Sequence, residues 1–350
     1  MLSQNEKKFY SRHLLLNEIG VEGQEKLKQA KVLVVGAGGL GCPILQYLTA
    51  AGVGTIGIVD GDTVDVSNLQ RQILYTVDDV GKPKAKCAAS RLKQLNPYVK
   101  FNVHQEFLST TNALALFENY DIIVDGSDNF QTRYLCNDAA VLTNKPLVFG
   151  SIFKFEGQVT VFNYNNGPTY RCLYPTPPSH GSVPSCSEIG VLGVLPGIVG
   201  NFQANETLKI ILGLGEILSG KLLTFNALTM QQMQFKFSKN ESLNITSLES
   251  NYDVFCGVPQ IEKEITLEDL GANKDIYNLL DVRETWEREQ HHIGGQHIPL
   301  GELTSRFKEI DISKPLVVYC KSGIRSARAI SFLEDNLENV SFVNLKGGIG

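Results

Sequence analysis

KVLVVGAGGLG, Lys31–Gly41, is the stretch that decides the fold. Its apolar run has no alternation, so it reads as a strand buried on both faces, and it breaks directly into glycines. A helical stretch follows from Leu40 to Ala51. TIGIVDGD, Thr55–Asp62, is then a second strand of β-branched residues ending in acids. Strand, glycine turn, helix and strand form the context that gives Gly36-x-Gly38-x-x-Gly41 its meaning. Glycines let the backbone approach a phosphate, and the helix start offers free N–H groups and the positive end of a dipole. Asp60, closing the second strand, is placed to take ribose hydroxyls. By itself the fingerprint serves NAD, FAD and ATP alike.

Outward from this unit the pattern repeats. Residues 3–30 read as helical and polar, and a helix fits Lys84–Asn96 with Pro83 in its first turn. FNVHQEF, DIIVDGSD and PLVFGSI read as later strands with helices between them, which predicts a parallel sheet covered on both faces. From Gly157, QVTVFNY alternates in the manner of antiparallel strands. A loop rich in Pro, Ser and Gly (Tyr174–Pro184) follows, long enough to be functional or mobile. Residues 240–262 are polar without a clear period and read as a linker or a last strand pair. A shorter βα region comes next: IYNLLDVR, a helix near Trp286–Gln290, LVVYC, a helix at Ser326–Asn336, and VNLKGG. The fold class is therefore α/β. Residues 1–257 form a Rossmann-like nucleotide-binding domain with a mixed sheet, and residues 258–350 a smaller α/β domain.

Composition narrows the function. Over 350 residues the formal charge is −5, which argues against a nucleic-acid partner held by phosphate neutralisation. A hydrophobic share of 43% supports a core, so a mostly disordered chain is excluded. Seven cysteines are odd in number and sparse, so a reducing, cytoplasmic compartment is expected rather than a disulfide framework. The N-terminus lacks an apolar signal core, and the weakly polar run Ile189–Gly200 is too short to span a bilayer, so no membrane is expected.

Three further motifs separate ATP chemistry from hydride transfer. Ser67-Asn68-Leu69-Gln70-Arg71-Gln72 follows the second strand, Gly81-Lys82-Pro83-Lys84 opens a helix, and Gly126-Ser127-Asp128-Asn129 ends a strand. A reacting triphosphate needs fixed cations and a carboxylate for magnesium. Arg71 and Lys84 supply the first, and Asp128, at a strand's carboxyl end, the second. GAGGLG, the acids of VDGD, VSNLQRQ, VGKPKA and the SDN of DGSDNFQTR, in this order and spacing, closely resemble the MoeB/ThiF/HesA family, adenylyltransferases related to ubiquitin-activating enzymes. The resemblance covers about residues 5–257. It implies that ATP adenylates the C-terminal glycine of a small ubiquitin-like sulfur carrier ending in Gly-Gly. The nucleotide and Mg2+ would be held by Gly36, Gly38, Gly39, Gly41, Asp60, Asp62, Ser67, Asn68, Arg71, Gln72, Lys84, Asp128 and Asn129, with the metal on Asp128. Arg12, in YSRHLLL, matches an arginine that reaches the phosphates from the other protomer of a homodimer.

The same resemblance implies a structural zinc on two C-x-x-C pairs. Here the pairs read Thr169-Tyr-Arg-Cys172 and Asp253-Val-Phe-Cys256, each without its first thiolate, so tight zinc is not expected. Cys186, in VPSCSEIGV, matches the family's crossover-loop cysteine, which attacks the acyl-adenylate or forms an acyl disulfide with the carrier in several members. Cys42, Cys87 and Cys136 read as small buried hydrophobes. Cys320 ends LVVYC, and Lys321-Ser-Gly-Ile-Arg325-Ser326 loops straight into a helix. Converging N–H groups, the helix start and Arg325 would favour an anionic sulfur and stabilise a persulfide. With Asp281-Val-Arg283 and His292-Ile-Gly-Gly-Gln-His-Ile-Pro299, this resembles a rhodanese sulfurtransferase domain. His291 stands where that family usually has Gly, and the chain stops at Gly350, where the family continues into a closing helix. Together the two resemblances imply adenylation followed by sulfur transfer from a Cys320 persulfide. The product, a thiocarboxylate, would serve molybdopterin or thiamine synthesis or tRNA thiolation, with a persulfide donor such as a cysteine desulfurase. The rival readings are an NAD-dependent oxidoreductase and a non-catalytic binder of a ubiquitin-like protein.

Overall fold

The computed structural model describes residues 1–178, 190–258, 263–337 and 340–350. Two compact units divide the chain, Met1–Cys256 and Gly257–Gly350. Among the described residues no helix is long and apolar enough to cross a membrane.

The first unit is built on eight strands: β1 (Lys31–Val35), β2 (Thr55–Val59), β3 (Lys100–His104), β4 (Ile122–Asp125), β5 (Leu147–Phe153), β6 (Glu156–Phe162), β7 (Lys221–Asn226) and β8 (Gln232–Lys236). Their order is β3-β2-β1-β4-β5-β6-β7-β8. Pairing is parallel from β3 to β5 and antiparallel from β5 to β8. The apolar run of β1 has its expected cause. Val32 and Val34 pack with Ile44, Leu45 and Leu48 of the helix Gly41–Ala51 on one face. Leu33 and Val35 pack with Phe117, Ile123 and Tyr134 on the other. The order 3-2-1-4 reverses direction between β1 and β4, and at such a switch point the loops beyond the strands part to leave a crevice.

The sequence departs from the structure locally. The N-terminal helical region is three pieces, Gln4–Phe9, Ser11–Leu14 and Gly20–Gln29. Pro83 caps the helix Lys84–Leu95 from outside it, with extended backbone (φ −61°, ψ 126°). The described part of 240–262 holds no strand; the last strand pair is β7 and β8, earlier in the chain, and Tyr252–Phe255 is a helical turn.

The second unit is a parallel sheet ordered β11-β10-β12-β13-β9. Its strands are β9 (Glu264–Ile265), β10 (Asn278–Asp281), β11 (Gln296–His297), β12 (Leu316–Tyr319) and β13 (Phe342–Leu345). Leu280 and Val318 face Ala329, Ile330 and Leu333 of the helix Ile324–Asn336, while Val317, Val343 and Leu345 face Leu270.

Candidate functional site

At the crevice between β1 and β4, the glycine loop is shaped by close backbone approach. Gly36 has φ +90°, and a Cβ on Gly41 would lie 2.0 Å from the Gly36 carbonyl oxygen, so no other residue fits there. The loop is pinned from both sides. The Ala37 N–H donates to Asp60 Oδ2 at 2.7 Å, and the Tyr75 hydroxyl donates to the Ala37 carbonyl at 2.7 Å. Asp60 also accepts the Asp62 N–H on Oδ1 at 2.8 Å, so part of its expected binding role is a structural one. Burial raises its carboxyl above the usual range, and these hydrogen bonds and Lys84 oppose that rise.

The cations gather beside this loop. Lys84 is buried and its ammonium lies 3.0 Å from Asp62 Oδ2. Arg71 donates to the Ser67 carbonyl at 3.0 Å, and its stem lies within 3.7 Å of where a Gly39 Cβ would be. Gln72 lies against Gly38 in the same sense. Asp65 holds the turn, accepting the N–H and hydroxyl of Ser67, while its own N–H donates to Asn68 Oδ1 at 3.2 Å. The other side of the crevice is the end of β4. Asp128 is exposed there, and Asn129 accepts the Thr132 N–H at 2.9 Å, capping the helix Phe130–Leu142. Arg12 lies exposed in the short helix Ser11–Leu14.

Among the described residues the buried atoms Thr49 Oγ1, Gln72 Oε1, Arg133 Nε and Gln203 Oε1 have no hydrogen-bond partner. Such atoms are destabilising unless a ligand or water satisfies them. Gln72 is the one of these that lies against the glycine loop, at Gly38. Burial also raises the Asp125 carboxyl. Sequence reasoning missed Arg133, although DGSDNFQTR contains it, and missed Gln203, whose amide donates to the Asp125 carbonyl at 2.6 Å. Arg133 packs over the Phe130 and Phe149 rings at 5.4 and 5.7 Å, an aromatic pattern invisible in the local sequence. For magnesium, an exposed carboxylate at a strand end suits a metal that takes most of its other ligands from phosphates and water.

The two incomplete cysteine pairs do not fit zinc. Cys172 Sγ accepts the N–H groups of Thr169 and Asn240, each at 3.3 Å. Cys256 is buried, and burial pushes its thiol up to about 11. No group of three or more His, Cys, Asp or Glu able to hold a metal occurs among the described residues. The turns are tied together instead by a charge network. Arg171 holds Asp138 through two bonds of 2.8 and 2.6 Å and reaches Glu249 at 3.0 Å. The Tyr252 hydroxyl donates to Asp138 at 2.6 Å, and Arg171 stacks 4.5 Å over Phe255. Cys186 lies outside the described residues.

In the second unit Cys320 is buried at the end of β12, and the Gly323 N–H donates to its sulfur at 3.1 Å. Gly323, at φ +88°, starts the helix Ile324–Asn336. Arg325 interacts electrostatically with Cys320, and its guanidinium is also bound to Glu287 by bonds of 2.6 and 2.7 Å. Arg283 grips Asp281 at 2.9 and 2.7 Å and donates to the His291 carbonyl at 2.8 Å. That contact explains the departure at 291. The residue serves through its carbonyl with extended backbone (φ −162°), which any side chain tolerates. The His297 ring nitrogen Nε2 pairs with the Arg283 carbonyl at 2.8 Å. Beyond β13 the Ile349 N–H donates to the Cys320 carbonyl at 3.0 Å, bracing the loop from behind.

The ThiF family matches residues 10–245 and the rhodanese-like domain residues 266–350. The chain is 45% identical over 367 residues to "Probable adenylyltransferase/sulfurtransferase MoeZ" of Mycobacterium tuberculosis, covering 99% of this chain and 93% of that one. It is 51% identical to "Sulfur carrier protein adenylyltransferase" of Thermus thermophilus, over 71% of this chain and 96% of that one. It is 41% identical to "Adenylyltransferase and sulfurtransferase MOCS3" of Anopheles gambiae, over 95% and 82%. The solved structure of Escherichia coli MccB with MccA-N7isoASN shares the fold, at TM-score 0.60 and 21% identity over 70% of this chain and 75% of that one.

Proposed function

Because the chain belongs to the ThiF family and ends in a rhodanese-like domain, we propose that it adenylates the C-terminal glycine of a ubiquitin-like sulfur carrier and then delivers sulfur to it from Cys320. One observation supports the first half: the glycine loop at the β1/β4 switch point has Arg71 close to Gly39 and the buried Lys84 beside Asp62. Hydride transfer would require none of these cations. The carrier carboxylate attacks the α-phosphorus of ATP, and pyrophosphate leaves with the bonding electrons. Arg71 and Lys84 offset the charge that shifts onto the leaving oxygens. Asp128 would hold magnesium, whose charge offsets that of the phosphates. Arg12 of a second copy would complete the phosphate contacts in a homodimer.

In the second half, a persulfide donor loads Cys320. The terminal sulfur attacks the acyl carbon of the adenylate and AMP leaves, giving an acyl disulfide. A second thiol then attacks the Cys320 sulfur and the thiocarboxylate leaves; Cys186, which matches the cysteine that attacks the acyl-adenylate or forms an acyl disulfide with the carrier, is a candidate for the steps after adenylation. The Gly323 N–H on the Cys320 sulfur supports an anionic sulfur chemistry.

The test of the first half is ATP–pyrophosphate exchange with a purified carrier ending in Gly-Gly. Asp128→Ala removes an exposed carboxylate and no core volume. Exchange should fall by about two to three orders of magnitude, the usual effect of losing one strong electrostatic contact in the transition state. Near-normal exchange in a folded Asp128→Ala protein would remove the magnesium assignment.

A further inference from the structure

A polar residue stands where the pattern of β13 calls for an apolar one. Phe342, Val343 and Leu345 are buried and apolar, and Asn344 between them is equally buried. A buried amide is destabilising unless it is paired, so its partner carries information. Asn344 Oδ1 lies 2.6 Å from Ser326 Oγ, and Ser326, fully buried in the first turn of the helix Ile324–Asn336, lies 3.4 Å from the Cys320 sulfur. The same hydroxyl is 3.0 Å from the Gly323 carbonyl. A serine has one proton for these three neighbours.

We propose that Asn344 is a positioning residue that acts through Ser326, turning the serine proton toward the Cys320 sulfur when that sulfur is anionic. The two ends of an asparagine amide are nearly the same size, and which end faces the serine is set by the hydrogen-bond network. With the N–H end toward Ser326, the amide donates to Oγ and the hydroxyl proton is released to the sulfur. With the carbonyl end toward it, the proton is held by the amide. Sulfur then keeps only the Gly323 N–H among these donors. The pair thus matches the charge on Cys320 as it alternates between thiolate and persulfide. The inference rests on Cys320 being the sulfur-carrying residue.

The test uses the full chain in thiosulfate:cyanide sulfurtransfer. There the Cys320 thiolate takes the outer sulfur of thiosulfate, sulfite leaves with the bonding pair, and cyanide removes the sulfur as thiocyanate. Asn344→Asp keeps the shape but presents only acceptors, which trap the serine proton. Its kcat should fall about ten-fold with KM for thiosulfate unchanged, the size expected for losing one hydrogen bond to a charged group. Ser326→Ala should lose as much, and adding Asn344→Asp to it should cost little more. Ser326→Thr, which retains the hydroxyl, should recover most of the rate and guards against a fold defect in the other variants. Parental kcat in a folded Asn344→Asp protein, or additive losses in the double variant, would overturn the proposal while leaving Cys320 in its role. Undiminished transfer in Cys320→Ser would overturn both.

Discussion

The ion pair Arg325–Glu287 shows how a single residue can be legible in the sequence while its partner is not. Arg325 is expected beside the Cys320 sulfur and its charge does interact with Cys320, but its guanidinium is also held by a carboxylate 38 positions earlier in the sequence. Burial alone would raise the Glu287 carboxyl, but the hydrogen bonds from Arg325 and the Glu284 N–H, with the charges of Arg325 and Arg283, together outweigh it and hold the group below its ordinary value of 4.5. The native state therefore binds this proton less readily than the unfolded chain. Its stabilising effect is complete above pH 4.5 and fades as the pH falls through the lowered folded value. Glu287→Gln should lower stability by about 2 kcal/mol at pH 7, because it leaves Arg325 half-buried and unpaired. Parallel denaturant titrations of the two proteins should show that gap shrinking on acidification; a gap independent of pH would refute the coupling. Sequence makes the candidate residues visible wherever chemistry needs a rare type at a turn, as with Gly41, Lys84 and Cys320. It hides long-range partners such as Glu287, Gln203 and Asn344, whose roles exist only once strands are paired.

At the scale of elements, long apolar runs were readable because burial on both faces removes any ambiguity about their neighbours. β8 was not: all five of its residues are exposed, so neither alternation nor apolarity marks it. β9 and β11 have two residues each, too few to show any period. The cysteine-bearing turns are the most instructive case. Their sequence reveals what is missing from a zinc site but not what stands in for it. The ties come from Asp138, on the helix Phe130–Leu142, which is fully buried and receives Arg171 and Tyr252. Asp138→Asn should destabilise the first unit by about 2 kcal/mol, since it removes the buried charge that Arg171 and Tyr252 share while Arg171 keeps Glu249. A chelator should leave the parent protein's thermal unfolding unchanged, and metal analysis should find far less than one zinc per chain. Stoichiometric zinc, or an Asp138→Asn protein as stable as the parent, would show that the network is not what holds these turns.

Across the whole molecule, two compact units carry two distinct chemistries, each built at the carboxyl ends of parallel strands. In the proposed reading adenylation uses the charges at the β1/β4 crevice, and sulfur transfer uses Cys320 beside the Gly323 N–H after β12. Each core is complete within its own unit, so a conservative change in one should not unfold the other. Cys320→Ser should therefore leave ATP–pyrophosphate exchange at the parental rate and abolish thiosulfate:cyanide transfer. Asp128→Ala should do the reverse. Cys186→Ser should leave both partial reactions intact and slow only the formation of carrier thiocarboxylate, the one reaction that needs an adenylate and a persulfide in succession. Mass spectrometry of the carrier reads that product directly, as the replacement of one carboxylate oxygen by sulfur. Loss of exchange in a folded Cys320→Ser protein would mean that the second unit takes part in adenylation. Full thiocarboxylate yield from Cys320→Ser, supplied with the same sulfur donor, would mean that sulfur reaches the acyl-adenylate by another route.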